Sequence, residues 1–302
     1  MSLLVTGSIG IDSVTSPFGR AENILGGSAV YFSFSASLFS PVRLVGVVGE
    51  DFPEAFRDVL VEGGFDLTGL ETRAGSRTFR WQGNYEGDMN EATTLETQLN
   101  VLGEAGPKIP PAFKDSRFVF LANTHPTLQR DLLGQLDAPE LVVCDTMNLW
   151  IDTERDSLIE TLRRVHGVVI NDAEVRSLSG EMNLVLAGRQ ILAWGPRFVV
   201  IKKGEHGAML VTPDAVAVLP AYPTTNVCDP TGAGDSFAGG MMGHLAARGS
   251  FAEPDLRSAL ARGTVCASFA IEGFSLEGIR GCRGTDDVAS RLAAYREVVA
   301  FD

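Results

Sequence analysis

Six short apolar runs constrain the fold of this 302-residue chain more than any other feature. In each run apolar, mostly branched side chains follow one another, whereas a half-buried strand would alternate apolar with polar residues. Such continuity is typical of strands that are buried on both faces, as in a parallel sheet. The runs cover residues 3–7, 42–49, 117–122, 141–145, 167–171 and 197–204.

Helical spacing separates these runs. Apolar residues recur three and four positions apart in residues 52–62, 155–164, 181–194 and 255–271. Strands that alternate with such helices predict an α/β fold with a doubly wound, mostly parallel sheet. Residues 285–299 are predicted to close the fold as a surface helix.

Two segments interrupt this alternation. Residues 11–25 are polar and turn-rich, and residues 77–102 alternate as a strand does. We expect the two segments to pair into a small antiparallel sheet that projects from the main sheet as a lid. Because no linker, repeat or low-complexity stretch appears, residues 1–302 are interpreted as one domain that includes this lid.

Charge and composition exclude several functions. The net charge is −13, which argues against nucleic-acid binding because phosphate neutralisation requires Lys and Arg. No apolar run approaches about 18 residues and no basic segment precedes the first one, so neither a membrane partner nor export is expected. The four cysteines lack metal-ligand spacing and are interpreted as reduced thiols of a cytoplasmic protein.

Residues 229–240 read DPTGAGDSFAGG, a glycine-rich turn in front of a helix that is predicted to end at Gly249. Gly232, Ala233 and Gly234 then lie at the helix N-terminus, where free backbone N–H groups and the helix dipole attract an anion. This arrangement gives an acidic protein a phosphate site without a basic patch.

Asp235 would repel that anion unless it serves to take a proton from an attacking hydroxyl. Phosphoryl transfer requires such a base, whereas the alternative is a plain helix cap. The chain lacks the GxxxxGK[ST] pattern of P-loop enzymes and the GxGxxG pattern of dinucleotide oxidoreductases.

The segment 229–235 resembles the C-terminal signature of the ribokinase-like, phosphofructokinase-B family of sugar and nucleoside kinases. Further pieces agree in order across nearly the whole chain: Asp12, the pair Gly26-Gly27, VGVVGEDF, DTMNLW, INDAE and IKKGEHGA. The resemblance implies a three-layer α/β fold with a β lid. It also implies transfer of the ATP γ-phosphate to a hydroxyl, with Asp235 as the base and Gly232–Gly234 as the anion hole.

The resemblance also implies roles for the donor side of the site. Asn171 and Glu174 have the spacing of a helix capping box, and in the family this pair holds Mg²⁺ and its waters against the triphosphate. The loop with Lys202 follows the nucleotide in the family, although a solvated surface is an equal alternative. The predicted nucleotide contacts are Asn171, Glu174, Lys203, Gly204, His206, Gly207, Thr231, Gly232 and Gly234.

The substrate side is predicted from the resemblance and from strand ends. Asp12 and the glycine pair contact the acceptor in the family, and Tyr31 stands where many relatives carry a sugar-binding Asn. Asp145 and Asn148 lie just past the end of a predicted strand, where open α/β sheets bind ligands. Arg80 in the lid is a further candidate, although an interface between two lids would use similar residue types. The predicted substrate contacts are Asp12, Gly26, Gly27, Tyr31, Arg80, Asp145 and Asn148, with Trp81 and Gln82 as further lid candidates.

Two more expectations concern cations and assembly. Relatives often bind K⁺ through residues that match Asp229, Thr231 and the loop 273–275, whereas Glu272 offers alternative charge interactions at this loop. Free edges of a small lid sheet would be covered if two lids paired, which predicts a homodimer.

Together these features predict an ATP- and Mg²⁺-dependent kinase that acts on a hydroxyl of a small sugar, sugar acid or polyol. A nucleoside kinase is the alternative within the enzymes, and an aromatic pocket around Tyr31 would favour it. A non-catalytic sugar or nucleotide sensor on the same scaffold is the alternative outside them, although a sensor needs no base at Asp235.

Overall fold

A computed structural model describes residues 2–282 and 284–300 of the chain. Its strands are Leu3–Thr6 (β1), Gly10–Ser16 (β2), Gly19–Gly26 (β3), Val42–Gly49 (β4), Asp66–Arg73 (β5), Phe79–Tyr85 (β6), Ala92–Gln98 (β7), Phe118–Leu121 (β8), Leu141–Cys144 (β9), Gly167–Asn171 (β10), Phe198–Lys202 (β11), Ala208–Val211 (β12) and Val216–Leu219 (β13).

The α-helices alternate with these strands for most of the chain. They are Ser28–Ser37 (α1), Glu54–Glu62 (α2), Pro126–Leu133 (α3), Asn148–Thr153 (α4), Arg155–Leu162 (α5), Asp172–Ser179 (α6), Leu184–Leu192 (α7), Ala233–Arg248 (α8), Glu253–Ala270 (α9), Glu277–Gly281 (α10) and Thr285–Val299 (α11).

The large sheet has the strand order β13-β12-β11-β10-β9-β8-β1-β4-β5. From β11 to β5 in this order, each strand pairs in parallel with the next. On the other side of β11, the hairpin of β12 and β13 adds two antiparallel strands. The six apolar runs form β1, β4 and β8 to β11. Alternate residues of β1 belong to different hydrophobic clusters, Leu3 to one and Leu4 to the other, so helices cover both faces. The predicted doubly wound fold is confirmed.

The smaller sheet has the order β3-β2-β6-β7 and contains the two segments predicted to form a lid. The expected antiparallel pairing of these segments is wrong, because each segment is already a hairpin and the hairpins join through a parallel pair, β2 with β6. The sequence also gave no indication of β5. This strand lies at the sheet edge, has β4 as its one partner within the described residues, and is half-exposed along most of its length.

Helix α8 carries the glycine-rich segment and packs between α1 and α9. At Gly239 a side chain would collide with the backbone carbonyl of Phe32, so the absence of a side chain permits this close approach. The helix ends where it was predicted to end, at Gly249, which has a left-handed conformation with φ 64°. The result is a buried helix whose N-terminus faces the carboxyl ends of the parallel strands.

Candidate active site

A cavity of about 260 Å³ lies at the carboxyl ends of β1, β8, β9 and β11, and the smaller sheet forms one wall of it. Open parallel sheets bind ligands at this edge because the connections after the strands diverge there. The cavity brings together eight of the residues predicted for the site. They are Asp12, Gly27, Tyr31, Asp145, Thr231, Gly232, Gly234 and Asp235.

The turn before α8 is shaped by Gly232, which has φ 73° and caps the helix. A side chain at this position would overlap the ring of Tyr31, which lies flat against the turn. Glycine is therefore required here both by the left-handed backbone and by the aromatic ring. Gly234 has ordinary helical geometry instead, and the ammonium of Lys202 lies where its side chain would project. The predicted anion site thus has the Lys202 ammonium beside its backbone N–H groups.

Asp235 lies half-buried in the first turn of α8 and shares a hydrogen bond with a buried carboxyl, Asp145. Burial raises the pKa of Asp235 to about 6, while Lys202 and the hydrogen bond from Asp145 oppose the rise. Burial and the charge of Asp235 raise the pKa of Asp145 well above its usual range. A hydrogen bond between two carboxyls requires a proton on one of them, and the raised pKa of both groups shows that burial favours keeping that proton.

Asp12 is 3% exposed and accepts a hydrogen bond from the backbone N–H of Gly27. Burial raises its pKa to about 7. Its Oδ1 atom and the hydroxyl of Tyr31 have no hydrogen-bond partner among the described residues. Gly26, the last residue of β3, packs directly against the Asp12 carboxyl. Two buried polar atoms without partners at one cavity indicate a ligand with hydroxyl groups.

Strand β6 presents alternate side chains to the cavity: Phe79, Trp81 and Tyr85 line it. Arg80 points the other way and forms an ion pair of 3.0 Å with Asp51. Because side chains alternate across a strand, Gln82 shares the face of Arg80 and neither residue lines the cavity. Of the three lid candidates, only Trp81 is placed against the cavity.

Sequence reasoning missed part of the wall opposite the lid. Asn123 and His125 follow β8, whereas Met147 precedes α4 and Trp150 lies within it; all four line the cavity. The His125 and Trp150 rings meet edge to face, with centroids 5.1 Å apart. The predicted Asn148 is exposed and lies outside the lining, so its substrate role remains a prediction that the geometry does not support.

On the donor side, Asn171 and Glu174 form the capping box of α6. The Asn171 side chain accepts from the Glu174 N–H at 2.7 Å, and Glu174 Oε2 accepts from the Asn171 N–H at 2.9 Å. Burial raises the pKa of Glu174, and Lys202 opposes the rise. One carboxylate oxygen, Oε1, is left for another ligand.

The loop after β11 forms a short 3₁₀ turn over Gly204–His206, and the predicted contacts Lys203 and Gly207 flank it. None of these four predicted contacts lines the cavity, whereas Lys202 does. The tip of the β6–β7 hairpin reaches this loop. Asn90 accepts from the Glu205 N–H and donates to the Glu205 carboxylate, both at 3.1 Å.

Asp229 is buried beside the turn and accepts from the Thr231 N–H at 2.9 Å and from the Ser275 N–H at 3.4 Å. Glu272, in the adjacent loop, pairs with Arg291 at 3.0 Å. No cluster of three or more His, Cys, Asp or Glu side chains suited to a metal occurs in residues 2–282 and 284–300. A metal here would need phosphate oxygens or water as further ligands.

Comparison with known proteins agrees with this geometry. The chain is 31% identical over 248 residues to a cytidine kinase of Thermococcus kodakarensis, a match that covers 80% of this chain and 87% of the relative. The structure resembles a nucleoside kinase of Burkholderia thailandensis in complex with inosine, with a TM-score of 0.75, 18% identity and coverage of 97% and 98% of the two chains.

A putative ribokinase II from E. coli, solved in complex with ATP and Mg²⁺, has a TM-score of 0.78 at 18% identity and covers 97% of this chain and 99% of that one. No helix in the described part of the chain has the length and apolar character to cross a membrane. The family model for pfkB family carbohydrate kinases matches residues 12–277. The chain therefore belongs to the pfkB family of carbohydrate kinases.

Proposed function

We propose that this protein is a nucleoside kinase that transfers the γ-phosphate of ATP to a hydroxyl of the ribose. One observation carries the proposal: a single cavity holds the base Asp235 and the hydroxyl-reading Asp12, and it is also lined by the aromatic side chains of Tyr31, Phe79, Trp81, Tyr85 and Trp150. Flat apolar walls suit a nucleobase, whereas Asp12 and the Tyr31 hydroxyl suit a sugar. The similarity to a cytidine kinase supports the same acceptor class.

The other acceptors fit this cavity less well. A sugar acid would bring a negative charge next to the carboxyls of Asp12, Asp145 and Asp235, and Lys202 is the one Lys or Arg among the described lining residues. A small sugar or polyol would satisfy Asp12 but would leave the aromatic walls near Trp81 and Trp150 without a flat partner. The sugar or polyol that the sequence favoured is therefore the second candidate.

The proposed reaction needs no covalent intermediate. Asp235 accepts the proton of the acceptor hydroxyl, whose oxygen forms a bond to the γ-phosphorus as the bond from that phosphorus to the ADP oxygen breaks. The N–H groups of Gly232 and Gly234 and the Lys202 ammonium stabilise the charge that develops on the phosphoryl oxygens, whereas the predicted Ala233 N–H already donates to the Pro230 carbonyl at 3.0 Å. The products are a nucleoside monophosphate, ADP and a proton.

Mg²⁺ fits the donor side as a partly protein-held ion. Glu174 has one free carboxylate oxygen, and Mg²⁺ prefers one or two carboxylates with waters and phosphates. When bound, the ion neutralises part of the triphosphate charge. Asp229 and Thr231 remain the proposed K⁺ contacts, although the Asp229 oxygens already accept backbone hydrogen bonds.

A homodimer through the smaller sheet is a further part of this proposal, as is a cytoplasmic location. Phe18, in the turn between β2 and β3, is 64% exposed, and Leu95 on β7 is 56% exposed. Large apolar side chains at the edges of a small sheet are typical of an interface. Sedimentation analysis of Leu95→Lys against the wild type measures whether this sheet supports a dimer.

The function is tested by measuring ADP release with MgATP and a panel of acceptors: cytidine, uridine, adenosine, inosine, fructose, ribose, a sugar acid and a polyol. We expect a nucleoside to give the highest kcat/KM. Asp235→Asn should lower kcat by about 10²–10⁴ and retain nucleotide binding. Asp66→Asn, at the exposed opposite end of the sheet, is the control. Faster turnover of fructose, ribose or another base-free acceptor than of every nucleoside would refute the proposal.

A further inference from the structure

We infer that Asn123 recognises a hydrogen-bond acceptor on the nucleobase and that Trp150 fixes the orientation of its amide. This inference rests on the proposed nucleoside kinase function. Both residues line the cavity from connections that follow different strands, β8 and β9, so the fold and no local motif brings them together.

The hydrogen bond between the two side chains determines which end of the amide is available. Trp150 Nε1 lies 2.9 Å from Asn123 Oδ1. An indole nitrogen is only a donor, so the atom that it contacts must be the amide oxygen. The Asn123 nitrogen then lies 3.0 Å from the sulfur of Met147, which is a weak acceptor. The oxygen has a strong partner, whereas the N–H₂ group retains most of its capacity to donate.

A second observation points to a polar ligand at the same wall. The hydroxyls of Thr124 and Thr146 belong to side chains that are 8% exposed, and neither has a hydrogen-bond partner within the described ranges. Both residues line the cavity. Buried polar atoms without protein partners are rare in native structures and indicate a water or a ligand.

Both ring nitrogens of His125 face groups outside the cavity wall. His125 Nδ1 accepts from the Thr127 N–H at 3.1 Å, which places the proton of the neutral ring on Nε2, 3.6 Å from Glu154. The ring therefore offers an aromatic surface to the cavity and no free acceptor. The group selected by this wall is a flat heterocycle with a carbonyl oxygen or ring nitrogen directed at the Asn123 amide.

Two conservative variants test the inference with cytidine, uridine, adenosine and inosine as acceptors. Asn123→Asp keeps the oxygen that accepts from Trp150 and replaces the donor by an oxygen. We expect its kcat/KM for the preferred nucleoside to fall at least about 10-fold, mainly through KM, because an acceptor would face an acceptor. Trp150→Phe keeps a ring but frees the amide to rotate, so the ratio of kcat/KM between the two best nucleosides should fall at least about fivefold.

A double-mutant cycle separates positioning from packing. In an Asn123→Leu background, Trp150→Phe should no longer change nucleoside discrimination, because no amide remains to be oriented. Unchanged KM values in Asn123→Asp, or an equal effect of Trp150→Phe in both backgrounds, would overturn the inference and leave the nucleoside kinase function intact. If base-free acceptors alone are phosphorylated, the proposed function itself fails. Thermal melts of each variant verify that it is folded.

Discussion

The buried Asp12 carboxyl is expected to destabilise the ligand-free protein above pH 7, so that Asp12→Asn stabilises it. Burial raises the pKa of this group from 3.8 to about 7, even though the Gly27 N–H favours the charged form. A carboxyl with a higher pKa in the folded state binds more protons when folded. Its contribution to stability is therefore complete below the unfolded value of 3.8 and is lost as the pH rises through about 7.

The magnitude follows from the size of the shift. Each pKa unit corresponds to about 1.4 kcal/mol. The rise for Asp12 is then equivalent to about 4 kcal/mol of unfolding free energy at pH 8, of which about 3 kcal/mol develops above pH 5. An amide keeps the acceptor for the Gly27 N–H and carries no charge, so it avoids this cost. For a chain of this size the gain corresponds to about 8 °C in Tm at pH 8.

The assay is thermal unfolding of the ligand-free wild type and Asp12→Asn at several pH values between 5 and 8. Asp66→Asn is the matched control, because Asp66 is exposed and its hydrogen bonds with Thr68 lower its pKa. That variant should gain no stability as the pH rises. A Tm difference between wild type and Asp12→Asn that is the same at pH 5 and pH 8 would refute the reasoning. The stabilised variant should also bind the acceptor more weakly, since Asp12 is proposed to hold its hydroxyls.

Three further predictions concern the base, the anion turn and the lid. The pH profile of kcat/KM should have an acidic limb near pH 6, where Asp235 ionises. Asp145→Leu removes a hydrogen bond that lowers the pKa of Asp235, so this limb should move to higher pH. A limb at the same pH in the variant and the wild type would contradict this prediction. Gly232→Ala should abolish ATP turnover in a folded protein, whereas Gly281→Ala, which meets no neighbouring atom, should have no effect. Asn90→Ala releases the hairpin tip from Glu205 and should raise ATP hydrolysis in the absence of acceptor a few-fold. Equal hydrolysis by the variant and the wild type would show that the contact between Asn90 and Glu205 does not help to close the site.

The main sheet was predictable from the sequence because a strand that is buried on both faces appears as a continuous run of apolar residues. Each of the six apolar runs became a strand, and residues 285–299 became the final helix. The edge strand Asp66–Arg73 has no such run, because a strand that pairs on one side and is partly exposed can contain polar residues. The parallel join between the two lid hairpins was equally hidden, because pairing between distant strands is decided by tertiary packing.

The candidate site divides in the same way. The glycine-rich turn and Asp235 form a local motif, and in the structure Gly232, Gly234 and Asp235 line the cavity, while their roles stay a prediction. Asn123 lies in no motif, and Trp150, although it ends the DTMNLW piece, was given no role; the two side chains meet only after the chain has folded, so no local pattern pairs them. Trp81 was different: the alternation of β6 already separates it from Arg80, and a strict period of two would have assigned the two residues to opposite faces.

The acidity of the cavity explains why so few side chains suffice for phosphate. Asp12, Asp145 and Asp235 lie near one another in low dielectric, and their raised pKa values show that the protein holds part of this charge as protons. One proton shared by Asp145 and Asp235 leaves the pair with a single negative charge beside Lys202, instead of two charges that would repel the incoming triphosphate. The positive potential for ATP then has to come from the N–H groups at Gly232, from Lys202 and from a divalent ion brought with the nucleotide. The proposed phosphate site is therefore compatible with an acidic chain, because the carboxyls beside it are protonated or paired.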